Sequence, residues 1–420
     1  MKLLMSCRVT LFLAFGLLVV PSGALALDNS KSLYQYNAHS WTRQSGLPVN
    51  GVRAITQTRD GYIWFGSQNG LIRFDGFDFS VLSVASDDAW RGRRVISLKE
   101  TSQGQLLFGL ENGSFGIWSA TSGFRRPEGE WLVSYTTASA FHEARDGGLW
   151  VGTGLGTARW KPGEMAAAEL NTNVWGAQGF FEDARQRIWI ATAEQGLWIW
   201  EKGEYRRVPL GIDGEILFAM AVDGQENLWV ATQLALHCFD SELRHKKDFE
   251  FPQEVRALHL DKEGALWIGT WGAGLHRYYQ GSLESIRHSG GLANDFVYAI
   301  HEDREGSIWV ATREGLTQLT DVKFPIFRDE EIMGFGAHGV AAGVRSGIWV
   351  AAAGGVGWFD GTNWSRFKPE HGLCTPYVKR VHQARNGDVY LLNGNREVEI
   401  ISGNKVVAHH PFSGWPTDDE

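Results

Sequence analysis

The feature that most constrains the fold is an internal repeat, a Trp-centred segment that recurs every 38 to 43 residues. It reads DGYIWFGSQNGLIRFDG from Asp60 and EGALWIGTWGAGLHRY from Glu263. The anchoring positions are Trp64, Leu107, Trp150, Trp189, Trp229, Trp267, Trp309, Trp349 and Tyr390. A period of this length is typical of four-stranded propeller blades. The sequence therefore predicts nine copies of one β unit.

Each copy has the pattern of a β-hairpin. An apolar stretch such as VRAITQT is followed by a turn such as Asp60-Gly61 and then by the Trp strand. Two residues after the Trp position stands Gly or Ala in eight copies, for example Gly66 and Ala311. We expect this small residue to let neighbouring blades approach closely while the Trp fills the wedge between sheets. Helical periodicity is absent, which favours an all-β radial repeat.

Composition excludes several other classes. The 420 residues include 51 Gly and 19 Trp and are 43% hydrophobic, unlike collagen, a disordered chain or a long coiled coil. The formal net charge of -8 argues against binding to nucleic acid or to an anionic membrane, since both need a basic surface. Cys238 and Cys374 lie in distant segments and predict no disulfide framework.

The N-terminus has the pattern of a signal peptide. Lys2 and Arg8 form a basic region, an apolar run follows from Val9 to Val20, and Ala24 and Ala26 make an A-x-A cleavage site. We expect residues 1–26 to be removed and the protein to be exported, with an uncleaved N-terminal anchor as the alternative. No later stretch is long and apolar enough for a spanning helix.

The repeat has a recognisable consensus. The stretch WTRQSGLPVNGVRAI from Trp41, followed by the Asp60 segment, closely resembles the two-component regulator propeller repeat, and GLANDFVYAI from Gly291 repeats its first part. The resemblance implies a periplasmic sensor, non-catalytic in this segment, of a membrane-bound hybrid histidine kinase or diguanylate cyclase. It also implies a homodimer in the full receptor.

The number of copies predicts a fold of two parts. The seven copies from Trp64 to Trp309 predict a seven-bladed β-propeller of four-stranded antiparallel blades over residues 33–325. The stretch Ser32 to Trp41 could supply an outer strand that closes the ring against the last blade. Residues 326–420 would begin a second, incomplete propeller, and a continuous nine-bladed ring is the alternative. We therefore expect a longer receptor that reaches the membrane and its transmitter only through a segment after Glu420.

Propeller ligands usually meet the face where short loops converge. The loops after the Trp strands and the connections into the inner strands should emerge on the same side of the ring. Aromatic side chains mixed with amides and charges there would suit a sugar or other polar small molecule, the alternative being ordinary solvated loop tips. The candidate ligand-binding residues are Trp90, Arg91, Tyr135, Trp175, Glu254, Trp271, Asn294, Asp295 and Arg313.

No residue pattern predicts catalysis, a metal or a cofactor. The repeated Trp residues occupy one packing position in blade after blade, whereas a cofactor needs a single site. His142-Glu143 and His301-Glu302 begin like a zinc-protease motif, but neither has a second His three residues after the Glu. Two other functions stay open, a secreted propeller lyase or hydrolase and a protein-interaction scaffold.

Overall fold

The regular secondary structure of the protein is almost entirely β-strand. The computed structural model describes residues 27–82, 93–126, 137–160, 168–212, 214–233, 235–321, 336–344, 347–360, 364–403 and 405–411. The predicted signal peptide, residues 1–26, lies outside them. Four short 3-10 helices accompany the strands within this described part, at Leu33–Gln35, Arg43–Ser45, His288–Gly290 and Pro369–His371. None of the described helices has the length and apolar character needed to cross a membrane.

The strands form nine four-stranded antiparallel sheets. The first strand of the chain is β1 (Asn37–Thr42), and it joins the seventh sheet. Sheets 1 to 4, given from the inner to the outer strand, are β2 (Val52–Gln57), β3 (Ile63–Ser67), β4 (Gly70–Phe74), β5 (Phe79–Leu82); β6 (Val95–Glu100), β7 (Leu106–Leu110), β8 (Phe115–Ser119), β9 (Gly123–Arg125); β10 (Ala138–Glu143), β11 (Leu149–Thr153), β12 (Thr157–Trp160), β13 (Ala168–Asn171); β14 (Ala177–Glu182), β15 (Ile188–Thr192), β16 (Gly196–Glu201), β17 (Glu204–Val208).

The remaining sheets follow the same order along the chain. They are β18 (Leu217–Val222), β19 (Leu228–Thr232), β20 (Ala235–Phe239), β21 (His245–Glu250); β22 (Val255–Leu260), β23 (Leu266–Thr270), β24 (Leu275–Tyr279), β25 (Ser282–Ile286); β26 (Val297–Glu302), β27 (Ile308–Thr312), β28 (Gly315–Thr320), β1; β29 (Ala337–Ala342), β30 (Ile348–Ala352), β31 (Gly355–Phe359), β32 (Trp364–Phe367); β33 (Val378–Gln383), β34 (Val389–Asn393), β35 (Glu397–Ser402), β36 (Lys405–Pro411).

Seven of the sheets close into a ring. The inner strands β2, β6, β10, β14, β18, β22 and β26 contact one another in this order, and β26 returns to β2. The outer strand of blade 7 is β1, which pairs with β28 from Asn37↔Thr320 to Thr42↔Gly315. The N-terminal strand thus closes the ring against the last blade, as the sequence predicted.

The closure of the ring after seven blades confirms the predicted fold class and contradicts the alternative of a continuous nine-bladed ring. The two C-terminal sheets pack on each other through β29, β30 and β33. The domain boundaries at residues 33–325 and 326–420 stay predictions, because residues 322–335 between the two sets of blades lie outside the described residues.

The repeated aromatic position fills the wedge between blades, as expected. Trp64, Trp150 and Trp267 are fully buried, and so is Leu107 in its degenerate copy. Tyr390 differs, since it is 37% exposed on β34. The residue two positions later must be small, because the next blade lies in direct contact with it. A Cβ on Gly109 would lie 2.2 Å from the carbonyl oxygen of Ala138, the first residue of the next inner strand.

Most of the buried indoles also have a hydrogen-bond acceptor six residues earlier in the chain. Nε1 of Trp309 donates to Asp303 at 2.7 Å and Nε1 of Trp267 to Asp261 at 2.8 Å, while Thr58 takes this role for Trp64. Each acceptor lies at the start of the hairpin turn before the Trp strand. The turn is thereby tied to the core of its own blade, because a buried N–H without a partner is costly.

Both cysteines of the described residues are free thiols, Cys238 buried and Cys374 exposed. The ring is therefore stabilised by packing and hydrogen bonds, as the cysteine count predicted.

Candidate ligand-binding site

Each inner strand of the ring carries a β-bulge at its second residue. The first residue of the strand is buried between blades, as for Val52 and Val297, whereas the bulged residue is half-buried. A half-exposed side chain on an innermost strand faces the central channel, since that is the solvent nearest to it, and bulges re-aim side chains in this way. The bulged residues are Arg53, Ile96, Ser139, Gln178, Phe218, Arg256 and Tyr298.

The bulged residues of blades 5, 6, 7 and 1 form a continuous arc of aromatic and guanidinium groups. The Arg53 guanidinium lies 4.0 Å from the centre of the Tyr298 ring, and that of Arg256 lies 3.8 Å from the centre of the Phe218 ring. Trp271 joins the two pairs, with its ring 5.2 Å from Tyr298 and 5.0 Å from the Arg256 guanidinium. These five residues are called the channel arc below. Blades 2 to 4 contribute Ile96, Ser139 and Gln178 at the same position, so the channel mouth is one-sided.

The loops after the Trp strands meet the connections into the inner strands, as the sequence predicted. In blade 6 the backbone N–H of Trp271 donates to the carbonyl of Glu254 at 2.8 Å. Trp271 also forms an isolated β-bridge with Phe296 of the next blade. In blade 7 the backbone N–H of Arg313 donates to the carbonyl of Phe296 at 3.0 Å. This backbone network holds the loops at one end of the channel.

The structure brings two of the predicted site residues to the channel arc. Trp271 is a member of the arc, and Glu254 forms an ion pair with its neighbour Arg256. Arg313 is exposed and lies above the Phe296 ring, its guanidinium 5.4 Å from the ring centre. Glu254 neutralises one cation of the arc, whereas no ion pair of Arg53 is found among the described residues.

Asn294 and Asp295 support the loop through side-chain hydrogen bonds. The Asn294 side chain accepts from the backbone N–H of Phe296 at 3.0 Å, and the Asp295 carboxylate accepts from that of His288 at 2.6 Å. The Asp295 carbonyl also accepts from Gly272 and Gly274. Their contacts within the described residues therefore shape the backbone beneath Trp271.

The other predicted residues lie elsewhere. Trp175 stands in blade 4, where its backbone N–H donates to the Gln195 side chain at 2.9 Å, and no contact joins it to the channel arc within the described residues. Trp90, Arg91 and Tyr135 lie outside the described residues, so their role as ligand-binding residues stays a prediction.

Sequence reasoning missed Arg53, Phe218, Arg256 and Tyr298. They lie inside strands, and simple alternation does not reveal that a bulge turns them toward the channel. A usable signal was present in the repeat itself. The position after the first inner-strand residue varies in charge and size between copies, as in VRAI, VYAI and VRAL, while its two neighbours stay apolar or small.

The two His-Glu pairs have a structural role. The Glu302 carboxylate accepts the backbone N–H of Lys262 in the preceding blade at 3.0 Å, and Glu143 accepts that of Ser102 in the same way. Burial alone would raise the pKa of Glu302, but the nearby His259, with Nε2 3.8 Å away, and the hydrogen bonds from Lys262 hold it below the usual value. This contact is called the turn latch below. Equivalent turn latches join Arg59 to Glu100 and Arg145 to Glu182.

Two junctions of the ring have an apolar residue at the latch position, Val222 in blade 5 and Leu260 in blade 6. At the junction of blades 4 and 5 a cavity of about 300 Å³ opens beside the hairpin turns, at the end of the blades opposite the channel arc. It is lined by Trp189, Val222, Leu228 and Leu243, with Arg185 and Arg206 among its charged residues.

Comparison with known proteins supports the interpretation of the repeat. The family model described as two component regulator propeller matches residues 46–69, 250–272 and 291–314. No curated protein sequence matches the chain.

Among solved structures, two similar folds are extracellular domains assigned to hybrid two component systems of B. thetaiotaomicron. They share 16% and 17% sequence identity with this chain, with TM-scores of 0.71 and 0.59. The alignments cover 91% and 88% of this chain but only 55% and 52% of those domains, so the chain spans about half their length. Virginiamycin B lyase from Staphylococcus aureus is also similar in fold, with 15% identity, a TM-score of 0.54, and coverage of 68% of this chain and 100% of the lyase.

The ring, its blade order and the channel arc define a seven-bladed β-propeller followed by two further blades of the same kind. Within that class, residues 46–69, 250–272 and 291–314 match the two-component regulator propeller repeat, which confirms the resemblance inferred from the sequence.

Proposed function

We propose that the chain is the periplasmic ligand-sensing propeller of a membrane-bound two-component or cyclic-di-GMP signalling receptor, exported by residues 1–26. The repeat family and the similarity in fold to extracellular domains of hybrid two component systems support this class of protein. The single observation that carries the sensing role is the channel arc. Four of the seven bulged residues there are aromatic or cationic, and all four lie on the same side of the channel.

The chemistry of the channel arc favours a sugar or another polar small molecule. Aromatic faces such as those of Trp271 and Tyr298 stack on the apolar faces of sugar rings, and guanidinium groups donate hydrogen bonds to hydroxyl and carboxylate oxygens. Glu254 forms an ion pair with Arg256, whereas Arg53 has no carboxylate partner in the part of the chain that the structure describes. The arc therefore favours ligands with an acidic group, such as uronic acids, over neutral sugars of the same size.

Ligand binding would alter signalling only if it favours one receptor state over the other. In the proposed receptor, a homodimer, the occupied propeller biases the geometry of the dimer and thereby a kinase or cyclase located after Glu420. This segment is proposed to bind and not to catalyse.

A calorimetric comparison of channel variants tests the sensing role. A thermal-shift screen of neutral and acidic mono- and oligosaccharides on the full chain selects a ligand, and titration calorimetry then gives its Kd. We expect Trp271→Ala and Arg53→Ala to weaken binding at least tenfold. The matched control is Gln178→Ala, which changes the same bulged position in blade 4, outside the channel arc, and should leave Kd within about twofold.

Two outcomes would contradict the sensing role. If Trp271→Ala and Gln178→Ala bind the selected ligand as tightly as the unmodified protein, the channel arc is not the site. If the chain converts that ligand into a product, detected by chromatography after incubation, the segment is an enzyme and the lyase or hydrolase alternative replaces the sensor.

The receptor itself is tested separately. Fusion of alkaline phosphatase after Glu420 should give an active enzyme in the periplasmic fraction, and deletion of residues 2–20 should abolish that activity. The gene should continue in frame past the Glu420 codon into a membrane helix and a kinase or cyclase. A stop codon with no neighbouring transmitter gene would contradict the receptor.

A further inference from the structure

A cluster of two histidines and two carboxylates lies on blade 5, away from the channel arc. His237 stands on β20, and Asp248 faces it across the antiparallel pair on β21. The His237 Nδ1 atom lies 2.6 Å from Asp248 Oδ1, and the His245 Nε2 atom lies 2.7 Å from the same oxygen. The ligand atoms of these three residues all lie within 4.8 Å of one another, and no other such group of three occurs among the described residues.

The contacts of His237 place a carboxylate oxygen beside each of its ring nitrogens. Its ring is only 6% exposed, and its Nε2 atom lies 3.1 Å from Oε2 of Glu215. The imidazole is thus flanked by a carboxylate on each nitrogen. A neutral imidazole has one N–H and can satisfy only one of them. A metal ion bound at Nδ1 would leave the single N–H on Nε2, where it can donate to Glu215.

We propose that His237 Nδ1, His245 Nε2 and Asp248 bind a zinc ion, with Glu215 accepting the Nε2–H of His237. Two imidazoles and a carboxylate are ligands that zinc favours, and a carboxylate on the far nitrogen of a ligating His fixes its ring orientation and its tautomer. Zinc would take the place of the proton between His237 and Asp248.

The cluster can open to the dimensions of a zinc site. Ligand atoms about 2.0–2.2 Å from zinc in a tetrahedron lie about 3.3 Å apart, so Asp248 Oδ1 must move away from each histidine nitrogen by less than 1 Å. The side chains of His245 and Asp248 are 49% and 43% exposed, and they can rotate by this amount without disturbing the core. Their exposure also leaves a coordination position open to water or another ligand.

The structure of the repeat argues that the cluster is specific to blade 5. The residue at the position of His237 is Ile72 in blade 1 and Ala158 in blade 3. Blade 6 has His276 there, but the residue across the strand pair is Ser285 in place of a carboxylate. A packing role shared by all blades therefore does not explain the residues of the cluster.

Titration of the metal-free full chain with ZnCl₂ tests the proposal. Calorimetry should give one site per chain, and substitution of cobalt(II) for zinc should give the visible absorption of a tetrahedral cobalt centre. His245→Ala and Asp248→Asn should each weaken zinc binding at least tenfold and abolish the cobalt bands. Glu215→Gln should weaken binding by about 10- to 100-fold, since it changes a residue that supports a ligand.

The matched control is His382→Ala, which removes an exposed histidine on β33. It should bind zinc as the unmodified chain does. Circular dichroism of each variant checks that the propeller is folded. Because His245 is exposed, we expect its substitution to leave the fold intact. If the unmodified chain shows no zinc binding, or if His245→Ala retains the affinity and the cobalt spectrum, the proposal is overturned. Neither result would affect the proposal that the channel arc binds a ligand, because that proposal rests on other residues.

Discussion

The backbone N–H of Arg304 donates to the side-chain oxygen of Gln57 at 2.8 Å, although 247 residues separate them in the sequence. The contact is the turn latch between blade 7 and blade 1. The Arg304 guanidinium adds hydrogen bonds to the carbonyls of Thr58 and Arg59, both at 2.7 Å. The ring is therefore closed twice, by β1 pairing with β28 at the outer edge and by this latch at the hairpin turns.

Removal of the closing latch should weaken the ring. Gln57→Ala eliminates the acceptor of the Arg304 N–H, and we expect the free energy of unfolding to fall by about 1 kcal/mol, the typical net value of one hydrogen bond. Urea denaturation followed by Trp fluorescence measures the change. Gln44→Ala, an exposed glutamine outside the latch, is the control and should have no measurable effect. Equal stability of the two variants would show that the latch contributes nothing.

Among the Trp residues at the repeated position of the ring, Trp150 is the one whose indole N–H has no partner in the described residues, because Ala144 stands where other blades have Asp or Thr. Ala144→Thr should supply the acceptor that Thr58 provides to Trp64 at 2.9 Å. Ala144→Val has nearly the same shape without the hydroxyl. We expect the Thr variant to be about 1 kcal/mol more stable than the Val variant in thermal denaturation. The reverse order would contradict an acceptor role for this position.

The small residue two positions after each Trp position should not tolerate a larger side chain where the blades lie closest together. Gly109→Ala places a Cβ 2.2 Å from the Ala138 carbonyl oxygen, so the blades must separate, and overpacking of this kind costs about 2 kcal/mol. Gly179→Ala is the control, since its Cβ would meet no atom within 4 Å. Differential scanning calorimetry should show a clearly lower Tm for the first variant only. A Gly109→Ala protein as stable as the control would overturn this packing role.

His276 should make the ring sensitive to acid. Burial, and then the charge of Arg287, lower the pKa of His276 from 6.5 to about 4 in the folded protein. Because the unfolded chain binds the proton more readily, protonation of His276 favours unfolding. The contribution of the neutral side chain to the free energy of unfolding is therefore fully present above pH 6.5 and is lost as the pH falls toward 4. The loss is up to about 3 kcal/mol, as each pKa unit corresponds to 1.36 kcal/mol.

The pH dependence of urea denaturation between pH 7 and pH 4 measures this effect. Blade 7 has Thr317 at the position of His276. His276→Thr should therefore flatten the decline in stability, even if the stability of this variant at pH 7 is lower. The exposed His382→Thr should leave the decline unchanged. An unaltered pH profile in the His276 variant would contradict the assignment.

Much of the fold was predictable from local sequence patterns. The period of the Trp positions predicted the nine four-stranded units, and the order of the copies predicted both the seven-bladed ring and its closure by the N-terminal strand. Such patterns are readable because every blade needs the same wedge residue and the same small neighbour, as Trp267 and Gly269 illustrate. Of the site residues, Trp271 and Glu254 were predicted because they lie in loops, where polar and aromatic residues stand out.

By itself, then, the sequence determined the repeat, the type of blade and the end of the ring at which loops converge. Tertiary structure alone decided that Arg53, Phe218, Arg256 and Tyr298 line one side of the channel, and that Glu215, His237, His245 and Asp248 meet on blade 5. The physical reason is the same in both cases. Bulges, cross-strand register and ring closure bring together side chains that are distant in sequence, and no local pattern records those distances.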